Sequence, residues 1–345
     1  MPEKVDFCSR MENFTALSSY LSLPRNLVIF SHRNPDGDAI GSSLALYHWL
    51  NHFGHSVRVI FPSEFPLNFN WLPGSESIQI FDLQADQVRA TLEWADAYFC
   101  LDFNSLDRID KMGEVLNSTK KPIVMIDHHL DPEPFATYQF SDHQASSTCE
   151  LIYDFIRLFP SPIYLTRDIA ACIYTGVITD TGSFKYSFRP VLFHKVADLL
   201  ETGIDAVEIQ SLVFDAATEK QLRLLGHCLV NRMEILPEYK TGIIYLTKED
   251  YAHFEIQRGD TEGIVNYLLK LENVKMAAFI SEQPSIIKIS LRSKGSFSVE
   301  RIAKEYFNGG GHFNASGGSA YASLSAILQK LKSILPRYQA ELLST

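Results

Sequence analysis

The chain has 345 residues, of which 46% are hydrophobic and 21% charged, and its formal net charge is −10. That length exceeds one small core and implies two domains, while the composition excludes a disordered or collagenous chain. An acidic balance with no basic block argues against a grip on long nucleic acid, which gains its affinity by neutralising phosphates.

No apolar run is long enough to span a bilayer, so no membrane association is expected. The start, "MPEKVDFCSRMENF", lacks the apolar core of a signal peptide. Five cysteines without metal-type pairing read as reduced thiols, and the expected compartment is the cytoplasm.

In chain order, "LVIFSH" (27–32) reads as a buried strand, and "AIGSSLALYHWLNHFG" (39–54) as a helix closed by Gly54. "SVRVIF" (56–61), "AYFCLD" (97–102) and "PIVMIDHH" (122–129) are further strands, separated by polar or helical stretches. Helical spacing returns over 146–159, 166–178 and 189–204. The alternation predicts an α/β domain, a mostly parallel sheet with helices on its faces, over 1–190. A helical connector is expected over 191–232. From Met233 the pattern restarts with "TGIIYLT", "VKMAAFI" and "SIIKISLRS" as strands and "KEDYAHF", "TEGIVNYLLKLE" and "FSVERIAKEYF" as helices. A second, smaller α/β domain is therefore expected over 233–345.

Three of the first strands run into acidic or imidazole side chains: His32, Asp36 and Asp38; Asp102; and Asp127, His128 and His129. Asp180 follows the helix 166–178. Taken singly, each has an ordinary reading: Asp180 and Asp102 as turn or cap residues, the histidine pair as loop residues. Taken together they converge, because polar residues at the carboxyl ends of parallel strands meet in one crevice. Carboxylates crowded there repel one another unless a cation neutralises them. Oxygen-rich donors with one or two imidazoles suit Mn²⁺ or Mg²⁺ better than a thiolate-preferring zinc. His32, Asp36, Asp38, Asp102, His128 and Asp180 exceed what one ion needs and match two, the arrangement suited to in-line displacement at phosphorus.

On these motifs, "HRNPDGDAIGSS", "LDFNSLDRI", "IDHH" and "GVITDTGSF", the N-terminal half resembles the DHH phosphoesterase superfamily. The C-terminal half is similar to the DHH-associated domain through "NGGGHFNASGG" (308–318), and the arrangement resembles the stand-alone bacterial nanoRNases, which also act as phosphatases on 3′-phosphoadenosine 5′-phosphate. The resemblance implies a two-metal phosphoesterase with Mn²⁺ as the expected ion and Mg²⁺ or Co²⁺ as alternatives. It implies His32, Asp36 and Asp102 around one ion, and Asp38, Asp102, His128 and Asp180 around the other. Asp102, Asp38 and His129 would form the catalytic set, with His129 beside the substrate phosphate and Asp127 supporting the histidines. Two departures bear on which nucleotide fits: "DFNS" stands where D-T-A-N is frequent, and "NGGGH" stands where four glycines are.

Substrate contacts are expected from Asn104 and Arg108, from Arg258 and Thr261 before a helix, from Arg292 at a strand end, and from Gly309, Gly310, Gly311 and His312. Three glycines in a row let the backbone approach an anion, although a helix cap and turn also use glycine. Lys185 and Lys294 are weaker candidates, and Phe103 and Phe313 are nominated to stack bases. Short oligoribonucleotides or small phosphorylated nucleotides are the expected partners, held by the second domain while the first does the chemistry. Rival readings are removal of a 3′-phosphate from 3′-phosphoadenosine 5′-phosphate, cleavage of cyclic dinucleotides or their linear products, and a catalytically silent nucleotide-binding module. The sequence leaves monomer or homodimer open.

Overall fold

The computed structural model describes residues 14–159, 165–257 and 259–344; the N-terminal stretch read for a leader lies almost wholly outside them. The chain divides between Ala216 and Ala217 into two compact units.

The first unit is built on six parallel strands: β1 (Asn26–Phe30), β2 (Ser56–Phe61), β3 (Gln79–Ile80), β4 (Ala97–Leu101), β5 (Ile123–Asp127) and β6 (Tyr138–Ser141). Their order is β3-β2-β1-β4-β5-β6, so the chain winds outward one way from β1 and then returns to continue from β4. The boundary between β1 and β4 is the switch point, beyond whose carboxyl ends open α/β sheets bind ligands.

Both faces of this sheet are covered, which explains its apolar strand runs. On β1, Leu27 and Ile29 enter one core, against helices α1 (Gly37–His52), α4 (Thr148–Leu158) and α5 (Arg167–Asp180). Val28 and Phe30 enter the opposite core, against α2 (Phe81–Trp94) and α3 (Lys111–Ser118). The stretch expected as a connector is divided: α6 (Pro190–Glu201) and α7 (Ala206–Phe214) fall in the first unit, and α8 (Glu219–Asn231) opens the second.

The second unit has a mixed sheet of β7 (Met233–Leu236), β8 (Thr241–Leu246), β9 (Met276–Glu282), β10 (Ile287–Ser293), β11 (Gly310–His312) and β12 (Ala315–Ala320), in the order β11-β12-β10-β9-β8-β7. Only β8 and β9 run parallel. Alternate residues of β10, Ile287, Ile289 and Leu291, are buried against α11 (Glu300–Phe307) and α12 (Leu324–Ser344). Ile244, Leu246 and Phe279 cover the other face with α8 and the short α10 (Ile264–Leu268), which follows α9 (Lys248–His253). Among the described residues no helix is long and apolar enough to cross a membrane.

Candidate metal centre

The loop after β1 is fixed before any donor is placed. Ser31 Oγ, buried, donates to the Leu101 carbonyl at 2.9 Å and ties the ends of β1 and β4 together. Arg33 forks onto Asp82 at 2.8 and 2.9 Å, and its side chain also pairs with Asp110. Asp36 then caps α1, one oxygen accepting from the amides of Asp38 and Ala39, both at 3.1 Å. Asp36 also belongs to the group formed with His32 and Asp102, whose donor atoms all lie within 4.8 Å of one another.

Asp38 sits in the first turn of α1 and turns the opposite way. Its carboxylate accepts from the amides of Thr148 at 2.6 Å and Cys149 at 2.8 Å, the open N-terminus of α4. Asp38, His128 and Asp180 form a second group with donor atoms within 4.8 Å. Between the groups stands Asp102, whose φ of 63° is left-handed, a conformation aspartate tolerates better than most residues. Its Oδ2 lies 3.3 Å from His32 Nε2 and its Oδ1 3.6 Å from His128 Nε2. The Thr148 hydroxyl donates to Oδ1 at 3.0 Å.

The two histidines after β5 are held differently. Asp127, wholly buried, accepts from His129 Nδ1 at 2.8 Å and from the His129 amide at 3.1 Å. That contact places the proton on Nδ1 and leaves Nε2 with its lone pair. His128 sets Nδ1 3.3 Å from the Ala145 carbonyl and Nε2 3.2 Å from Asp180. Asp180 is the last residue of α5 rather than a residue beyond it. Glycines permit this crossing of α1 and α5: a Cβ on Gly176 would lie 2.2 Å from Cys149 Sγ and 2.7 Å from Asp38 Oδ1, and one on Gly37 would meet Thr179 at 2.4 Å.

Electrostatically the cluster is frustrated. Burial pushes the carboxyls of Asp38 and Asp102 upward, and Asp36 adds to the shift of both, with Asp38 adding to that of Asp102. Burial and the Asp38 charge push Asp180 up to about 6. Burial opposes a charge on His128, but the hydrogen bond and charge of Asp180, with Asp38 and Asp102, raise it well above its ordinary value. Burial lowers His129 against the pull of Asp127, and the nearby Arg108 charge lowers it further. Buried carboxylates that oppose one another's ionisation, with imidazoles beside them, are a donor set that fits divalent cations.

The remaining candidates divide. Arg108 lies in the turn Leu106–Ile109, close enough to His129 to act on it. Asn104 Nδ2 donates to the Leu130 carbonyl at 2.6 Å and so braces the segment after the histidines. Phe103 is wholly buried and stacks on Phe135 with centroids 6.1 Å apart, so it is core and not a base platform. Phe313 is 45% exposed on the two-residue turn between β11 and β12. Arg292, half-buried on β10, donates to the Leu291 carbonyl at 3.0 Å, and Thr261 stands half-buried in a turn. Lys294 donates to the Leu271 carbonyl at 2.8 Å, and Lys185 is exposed. Arg258 and the side chain of His312 lie outside the described residues.

The glycine run corrects an expectation. It is not an open anion-binding loop: Gly310–His312 form β11, and the Gly309 amide donates to Ala303 at 3.1 Å. A Cβ on Gly309 would stand 1.9 Å from the Gly317 carbonyl, and one on Gly318 2.5 Å from that of Phe307. These glycines let backbone pack on backbone where α11 turns into the hairpin. The sequence reading also missed Thr148 and Cys149. "SSTCE" signals a helix start, with Ser147 accepting from the Glu150 amide as the cap, but nothing local says which distant carboxylates that start would meet.

Fold and site together define a metal-dependent phosphoesterase. Residues 26–177 match the DHH family, N-terminal domain, and residues 240–337 match the DHHA1 domain; the chain belongs to the DHH family. Among solved structures, an exopolyphosphatase-related protein from Bacteroides fragilis superposes with a TM-score of 0.91 at 39% identity, covering 96% of this chain and 98% of that one. The bifunctional oligoribonuclease and PAP phosphatase NrnA of Thermus thermophilus is 27% identical over 85% of this chain and 83% of its own. The Bacillus subtilis protein of the same name is 26% identical over 89% and 93%.

Proposed function

We propose that this protein hydrolyses phosphoester bonds in short oligoribonucleotides and releases nucleoside 5′-monophosphates, with two divalent cations, Mn²⁺ the favoured ion. The observation that carries the reading is a chain of overlapping donor groups, Asp102 shared by His32–Asp36 and His128–His129 and His128 shared in turn with Asp38–Asp180, at the switch point of a parallel sheet. The names of the NrnA relatives supply the substrate class. His32, Asp36 and Asp102 would hold one cation, and Asp38, Asp102, His128 and Asp180 the other. When bound, the cations would supply Lewis acidity toward a phosphoryl oxygen and lower the pKa of a water.

The chain's own residues supply the rest. Asp127 holds His129 as the neutral tautomer with Nε2 available. A phosphate beside that ring raises its pKa and turns it into the proton donor a leaving oxygen needs. Arg108, beside His129, offers a fixed positive charge to the same phosphate. Arg292 and Thr261, with Arg258 and His312, are the second unit's contribution to substrate binding in this proposal.

The test is a panel on the purified chain with Mn²⁺: RNA of two to five nucleotides, 3′-phosphoadenosine 5′-phosphate, and cyclic dinucleotides with their linear products. Mononucleotide release from short RNA, abolished by a chelator, is expected; its absence counts against the proposal. A second reading, removal of the 3′-phosphate from phosphoadenosine phosphate, is favoured by the bifunctional name of the relatives and predicts turnover of both substrates. A silent binding module predicts nucleotide binding without turnover, and the presence of all six donors speaks against it.

A further inference from the structure

We propose that Thr148 is a positioning residue for the cation pair: its hydroxyl holds the Asp102 carboxylate so that one oxygen faces each donor group. The proposal rests on the two-cation reading above. Asp102 Oδ2 is directed to His32 and Oδ1 to His128, and Thr148 Oγ1 donates to Oδ1 alone, at 3.0 Å. Without that bond the carboxylate is free to rotate about its terminal torsion, which is broad and has no staggered preference.

Thr148 is not needed as a helix cap. Ser147 fills that role through the Glu150 amide, so the threonine hydroxyl is spare to α4 and is spent on Asp102. The first turn of α4 is braced as well. Glu150, buried, accepts from the Ser146 amide at 2.7 Å and from Lys195 Nζ at 2.9 Å, and it pairs with Arg189. Thr148 itself is wholly buried and its β-branched side chain has few χ1 choices, and in the one it adopts the hydroxyl meets Asp102. Its amide meanwhile joins that of Cys149 in fixing Asp38. One helix start therefore orients a carboxylate in each donor group.

The experiment compares wild type, Thr148→Val and Thr148→Ser as metal-stripped full chains titrated with Mn²⁺ by calorimetry, with thermal midpoints recorded without metal. Losing a partner that orients a metal ligand weakens metal affinity by about 10–100-fold, and that weakening is expected for the second Mn²⁺ bound by Thr148→Val. Its spin-resonance spectrum at equal loading should lose the exchange-coupled pair signal of the wild type. Thr148→Ser, which keeps the hydroxyl, should restore both. If the valine chain does not fold, Thr148→Ala removes the hydroxyl without filling the space and takes its place. A valine or alanine variant that binds two Mn²⁺ like wild type overturns the proposal, as does a serine variant as impaired as valine. A wild-type chain that binds no Mn²⁺ overturns the two-cation reading itself, and the proposal with it.

Discussion

Asp102 combines a left-handed backbone with a carboxylate facing two donor groups, so its replacement should act on stoichiometry as well as rate. Losses from outer ligands' partners run about 10–100-fold, and a shared ligand sits at or beyond the upper end: Asp102→Asn is expected to cut Mn²⁺-dependent turnover by about 100-fold or more and to lower bound Mn²⁺ from two per chain to one. Turnover and metal content of the purified variant check both. The titration of the cluster gives a second outcome. Without metal, the Asp180 carboxyl sits at about 6 instead of 3.8. A raised carboxyl keeps a proton that the unfolded chain has released, so its contribution to stability falls as pH rises from about 4 to about 6. Raised His128 acts in the same direction: its contribution is complete below 6.5 and is lost as pH climbs through its folded value. A cation replaces those protons. The rise in thermal midpoint on adding Mn²⁺ is therefore expected to grow between about pH 5 and pH 7.5, and a pH-independent rise would count against the cluster as the cation site. The six candidate donors that the structure gathers could be nominated from sequence because each stands near the end of an apolar run. Thr148 could not, since its hydroxyl reads as a helix start until Asp102 is brought to it from 46 positions away. Phe103 misled for a related reason: a ring inside a polar motif looks available, but the left-handed residue Asp102 breaks the alternation of β4 and Phe103 enters the core beside Phe135.

Helix crossings and hairpins decide where those residues go. Gly176 on α5 leaves the space into which Asp38 Oδ1 and Cys149 Sγ project. Neither neighbour can retreat, because Asp38 is bonded to two amides and Cys149 is wholly buried. Gly176→Ala is expected to destabilise the first unit by about 1–3 kcal/mol or more, the range for overpacked cores, and to lower Mn²⁺ affinity at the same time. Denaturant unfolding and metal titration of one preparation measure the pair. Gly309→Ala should instead destabilise the second unit and leave Mn²⁺ binding unchanged, since the atoms nearest its Cβ are β12 backbone, Gly317 and Gly318. At this scale the parallel strands and main helices could be read from alternation and helical spacing. The hairpin 310–320 could not: a run rich in glycine and serine carries no period-2 apolar signal, and its strand identity comes from pairing with β10.

At the scale of the molecule, the residues between the units, 215–218, are exposed and lie between α7 and α8. Exposed connecting segments are preferred sites of nicking. Limited proteolysis is expected to cut there first and to leave two resistant fragments, which mass spectrometry of the digest would identify; first cuts inside either sheet would contradict the division. Two domains were expected from length and a connector over 191–232; the division at 216/217 falls inside that stretch, but its helices could not be assigned to either unit from sequence, because α6 and α7 carry the same helical spacing as α8 and only packing assigns them. The strand order has a further consequence for the history of each molecule. The first candidate donor, His32, leaves the ribosome before the strands that pair with β1, and the last, Asp180, only after the whole sheet of the first unit has been made. No partial chain owns the complete centre, so a nascent chain can take up its cations only after its most distant contacts have closed. Non-local pairings form slowly, and a ligand that binds only the folded state resists its loss. The cations would thus act as a late latch, setting how long a finished molecule persists more than how fast it is made.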